Sequence, residues 1–88
     1  MKFLVVWWWT PEHAKEVTER FIKWKQQGNY KVLYPTSTMM GRNKAFAVGE
    51  CDDIMELYKD IRQWTDIATF DIIPIETSRD LVAKLRPT

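Results

Sequence analysis

Four runs of β-branched and aromatic residues and two amphipathic stripes of helical spacing follow one another in the order β-α-β-β-α-β. Two of the runs contain a proline, and they are the two that this order places at the sheet edges, where a missing N–H breaks no ladder bond. The first run is apolar on both faces, as a central strand is. Together these observations predict an α+β fold: a ferredoxin-like βαββαβ sandwich, with a four-stranded antiparallel sheet in the order 4-1-3-2 and helices on one face. The 88 residues are expected to form a single domain spanning 1–88, because domains typically run to about 100–150 residues.

Residues 2–9 form the predicted first strand. Thr10-Pro11 then reads as an N-cap and first helical position, where the missing N–H of proline is harmless. Ala14, Val17, Phe21 and Trp24 recur on one stripe of the helix, and Gly28-Asn29 supplies a left-handed stop. Residues 31–40 read as the second strand, with Pro35 inside it. Gly41-Arg42-Asn43 makes the turn, and Lys44 to Cys51 returns as the third strand. Asp52-Asp53 opens a second helix, with Asp53 and Glu56 at capping-box spacing and Ile54, Leu57, Tyr58, Ile61 and Trp64 on its apolar stripe. Residues 69–76 form the last strand, which contains Pro74. Ser78 is expected to cap a short C-terminal helix, about 78–85, through Leu81, Val82 and Leu85.

Composition excludes several classes of function. Hydrophobic residues make up 45% and charged residues 28% of the chain, with three Gly and four Pro, which excludes disorder and low-complexity linkers. A net charge of +1 provides no field for polyanions or anionic membranes. One cysteine excludes an internal disulfide and makes a cytoplasmic location the expectation. No run approaches the roughly 18 apolar residues of a membrane span, and the N-terminal run lacks a signal-peptide cleavage site. His13 and Cys51 are alone of their kinds, so no metal site is expected, and Asp52-Asp53 reads as helix capping. Gly28, Gly41 and Gly49 are too scattered for a phosphate loop, so no cofactor is expected either. The RNA-recognition fold shares this element order. Lys44-Ala45-Phe46-Ala47-Val48 opens its signature but lacks the second aromatic, and nucleic acid is not an expected partner.

A sheet covered on one face should alternate apolar with polar residues, and the first strand does not. Phe3, Val5, Trp7 and Trp9 line one face, assigned to the helix side together with Phe70, Ile72 and Pro74. Leu4, Val6, Trp8, Ile73 and Ile75 line the other and make a patch too large for a monomer to expose. A second copy placed sheet to sheet would cover it, giving a homodimer closed as an α+β barrel. The tail helix folding over the same face is the competing arrangement.

Several short motifs resemble a small prokaryotic family of unknown function within the dimeric α+β barrel superfamily. They are Met1-Lys2-Phe3 with Trp7 and Pro11, Arg20-Phe21, Ala45-Phe46-Ala47-Val48, Glu50 with Asp52-Asp53, Leu57-Tyr58, and Asp66 before Phe70-Asp71-Ile72-Ile73-Pro74-Ile75. The resemblance spans nearly the whole chain and implies the fold and dimerisation, but no reaction. The family pattern has an aromatic-His pair in the second strand, where this chain has Ser37-Thr38, so chemistry resting on that pair is not implied here.

Trp7, Trp9, Phe21, Trp24, Phe46 and Phe70 are expected to converge between sheet and helices, where they either fill the core or line a pocket. In related dimeric barrels that space serves cofactor-free oxygenases, haem-degrading enzymes or isomerases. Ala45, Ala47 and Gly49 leave room on the opposite face of the third strand. Cys51 lies beside acidic residues that disfavour a thiolate, so it reads as inert. Two functions follow. One is a homodimeric protein that binds a small apolar or aromatic ligand without a catalytic set. The alternative is a cofactor-independent oxygenase or isomerase acting on an aromatic substrate, with His13 or Tyr34 moving a proton and Arg42 as a further polar candidate.

Overall fold

A computed structural model describes residues 1–86. Its elements are β1 (Lys2–Trp8), a 3-10 turn (Pro11–His13), α1 (Ala14–Lys23), β2 (Lys31–Thr38), β3 (Lys44–Glu50), α2 (Met55–Ile61), β4 (Thr69–Ile75) and α3 (Ser78–Leu85). All strand pairs are antiparallel, in the order β2-β3-β1-β4. Taken from the β4 edge, this is the order 4-1-3-2. The fold is thus α+β, with the arrangement of a ferredoxin-like sandwich, and Pro35 and Pro74 both fall on edge strands.

Register decides which side chains meet the helices. Phe3, Val5 and Trp7 of β1 lie opposite Gly49, Ala47 and Ala45 of β3, and opposite Pro74, Ile72 and Phe70 of β4. Phe3 and Val5 form the buried core with Cys51, Leu57 and Ile61, and Trp7, Tyr30, Phe70 and Ile72 pack against it. The other face of β1 carries Leu4, Val6 and Trp8, none of them fully buried. Beside them on β4, Ile73 is 43% exposed.

Several elements depart from the expected boundaries for local reasons. Trp9 lies beyond β1, although its N–H still donates to the Asn43 carbonyl at 3.0 Å. The Thr10 side chain caps no helical N–H and instead hydrogen-bonds His13 Nδ1 at 3.0 Å. The first helix ends at Lys23 rather than near Gly28, because Trp24 turns extended and delivers its indole N–H to Asp60 at 2.6 Å. Gly28 does adopt the left-handed region, φ +94°, but within the following loop. The second strand ends at Thr38 and is broken by two register shifts around Leu33 and Pro35.

The second helix starts at Met55, later than Asp52-Asp53, and no capping box forms. Asp53 Oδ1 accepts from the Met55 N–H at 2.9 Å, while the Glu56 carboxylate reaches across to the Asn29 N–H at 3.0 Å. Leu57 and Ile61 of its expected stripe are buried, whereas Ile54 and Tyr58 are exposed. At the last helix Thr77 rather than Ser78 is the cap, accepting from the Asp80 N–H at 3.1 Å. None of α3 is buried, so it does not fold over the open sheet face. The radius of gyration, 14.9 Å, exceeds the roughly 12 Å expected at this length.

One ionic bracket positions α1 relative to the segment after α2. Arg20 grips Asp66 with one guanidinium nitrogen on each carboxylate oxygen (2.8 and 2.6 Å), bonds Glu16 at 2.7 Å and donates to the Gln63 carbonyl at 3.1 Å. The Asp66 carboxyl is held below its ordinary value, chiefly by the hydrogen bonds from Arg20. A depressed carboxylate contributes stability above its unfolded value and loses it as pH falls through the folded one. Arg20→Gln is therefore expected to lower the urea midpoint at neutral pH, and the gap from wild type should close below about pH 4. A gap unchanged down to acid would mean the bracket contributes nothing ionic.

Candidate functional site: an aromatic cavity between sheet and helices

The side chains that meet beneath the sheet do not fill the space they enclose. Across the β1–β3 register the large rings of β1 face small residues, Trp7 opposite Ala45, and Val5 lies opposite Ala47. This leaves a cavity of about 270 Å³, walled above by the sheet and below by α1, α2 and the Trp24–Tyr30 loop. A cavity of roughly 150 Å³ already accommodates benzene, and small-molecule pockets begin near 300 Å³. The space is not fully enclosed, and Phe21 in its wall is 46% exposed.

Of the expected ligand-binding residues, Trp7, Trp9, Phe21, Trp24 and Phe70 line this cavity. Trp7 stacks on Phe70 with centroids 5.5 Å apart, and Phe21 on Trp24 at 5.8 Å. Phe46 is a correction. It lies opposite Val6 in the register, on the uncovered face, where it stacks on Tyr34 at 5.6 Å. Ala45, Ala47 and Gly49 correspondingly face the helices, the reverse of the expected parity.

The expected proton carriers are not brought together. His13 is tied to Thr10 and is not part of the cavity wall, and Tyr34 stands on the opposite face of the sheet. Arg42 is also on that face, in a shallow depression with Trp8, Lys44 and Asp71. The Cys51 thiol is buried, and its pKa is raised by that burial first and by Asp53, Asp52 and Glu56 after it. Among the described residues no cluster of ligands could hold a metal ion, and no helix is long and apolar enough to cross a membrane.

The polar part of the wall centres on Asp60, only 7% exposed. Its carboxylate accepts from Trp24 Nε1 at 2.6 Å, from the Tyr30 hydroxyl and from Gln63 Nε2 at 3.4 Å. Burial, and then the bond to Asp60, raise the Tyr30 pKa, which keeps its hydroxyl a donor. Thr36 and Thr38 of β2 also line the wall. Trp9 Nε1 is a buried donor with no hydrogen-bond partner. Asp60 was legible in principle, since it lies three residues after Leu57 and four before Trp64, a charge inside an apolar stripe. Tyr30 and Thr36 carry no comparable signal.

A family model described as Domain of unknown function (DUF3303) matches residues 1–88. No curated protein and no solved structure matches the chain.

Proposed function

The chain belongs to that family, whose description states no activity, and from the site itself we propose that it is a homodimeric small-ligand-binding protein. The ligand sits in the cavity between sheet and helices and is an apolar or aromatic molecule. The observation that carries this reading is the open 270 Å³ space walled by seven aromatic side chains. Oxygenase or isomerase chemistry has less support, because His13 and Tyr34 both lie away from the cavity. Binding is tested with a neutral apolar fluorophore such as N-phenyl-1-naphthylamine. Saturable emission with quenching of tryptophan is the expected result, and linear partition without saturation would defeat the reading.

Surface area supports the dimer. The chain exposes 6669 Å², where a monomer of its mass averages roughly 5,400 Å². The excess, about 1,200 Å², is comparable to the roughly 800 Å² each partner contributes to a stable interface. Exposed apolar side chains on the uncovered face (Tyr34, Ile73, Ile75) and on α3 (Leu81, Val82, Leu85) account for part of it. Native mass spectrometry is expected to give twice 10.5 kDa, with the added mass of any retained ligand. Trp8→Glu should convert the dimer to a monomer. A monomeric wild type at micromolar concentration would remove the barrel from consideration.

A further inference from the structure

The cavity wall also narrows the chemical class of its occupant. Four of the five tryptophans (Trp7, Trp9, Trp24 and Trp64) line it. Among the described residues no Lys, Arg or His lines it, and its single carboxylate is Asp60. The hydrogen-bond partners of that carboxylate are all neutral: an indole, a phenol and an amide. The nearby guanidinium of Arg20 is committed to Asp66 and Glu16. A buried carboxylate without a counter-ion is costly to maintain, and hydrogen bonds offset only part of that cost.

The faces of indole rings carry negative quadrupole density, so every ring that turns its face to the cavity biases it with the same sign as the carboxylate. A neutral hydrocarbon gains nothing from that bias. An anion is opposed by it, and a soft organic cation gains from both parts while desolvating less of its charge than a metal ion must.

We propose that the cavity takes an organic cation with an apolar body, a quaternary or protonated amine. The ammonium lies against the tryptophan rings and Asp60. This assignment rests on the pocket reading above and specifies its ligand.

Three probes of nearly equal shape separate the possibilities: choline, its neutral carbon isostere 3,3-dimethylbutan-1-ol, and the anion 3,3-dimethylbutanoate. Binding to the wild-type protein is followed by tryptophan fluorescence and by the indole N–H resonances. Choline is expected to bind at least about tenfold more tightly than the neutral isostere, with the anion weakest. Benzyltrimethylammonium, which fills more of the space, should bind more tightly still. Asp60→Asn, whose amide keeps one acceptor, should shrink the preference for choline. Where that variant fails to fold, the wild-type ranking decides alone. Equal binding of all three probes, or a preference for the neutral one, overturns the cation assignment and leaves the pocket intact. No saturable binding by any probe, with N-phenyl-1-naphthylamine also failing, overturns both.

Discussion

Replacing Gly28 by alanine is expected to destabilise the fold by about 3 kcal/mol, among the largest effects of any single methyl group in this chain. Gly28 holds φ +94°, and a Cβ there would lie 2.0 Å from the carbonyl oxygen of Glu56 and 3.0 Å from its carbonyl carbon. That neighbour is helix backbone in α2, so no rotamer change relieves the clash. The loop would have to lift off α2, breaking the Asn29 N–H bond to Glu56 and dragging Tyr30 from Asp60. Gly41→Ala provides the control, since Gly41 has φ +82° but nothing lies within 4 Å of where the new methyl would sit. It should cost only about 1 kcal/mol, the left-handed penalty alone. Urea midpoints of the two variants check the contrast, and equal losses would mean that the loop does not seat against α2.

Ala47→Leu is expected to abolish ligand binding, by about a hundredfold or more, without harming the fold. Ala47 lines the cavity opposite Val5, so a larger side chain there grows into the space a ligand would use. The sign of its stability change is the informative result. In a filled core the added carbons would overpack and cost about 1–3 kcal/mol. In a hollow one they bury new apolar area and add about 1 kcal/mol. A raised melting temperature with lost probe binding is the expected pair. A lowered melting temperature would identify the aromatics as simple core.

What could be read from the residues, and what could not, divides along register. Pro35 and Pro74 identified the edge strands because a proline N-substituent cannot join a ladder, and the alternating β1 pattern separated Trp8 from Trp7. Bulk alone suggested that Phe46 belongs inside with the other rings. Its face, however, is set by the β1–β3 pairing, where Trp7 requires a small partner and takes Ala45. A single sequence shows the alternation of β3 but not its phase against β1. Whether the converging rings fill their space or line a cavity was undecided for the same reason, since a hole is a property of two surfaces brought together. The early end of α1 was hidden too, because Trp24 leaves the helix for a carboxylate 36 residues away.

Both prolines have a consequence beyond marking the edges. β2 is interrupted twice in its pairing around Pro35, and β4 carries Pro74, so neither border of the sheet offers a clean row of backbone donors and acceptors. Another chain cannot readily add itself as a fifth strand, which closes the usual route to ribbons and fibrils. Growth is left to the flat side, and the two-fold contact proposed there would use up that side on both molecules. The proposed dimer would then terminate at a fixed size however concentrated the protein becomes.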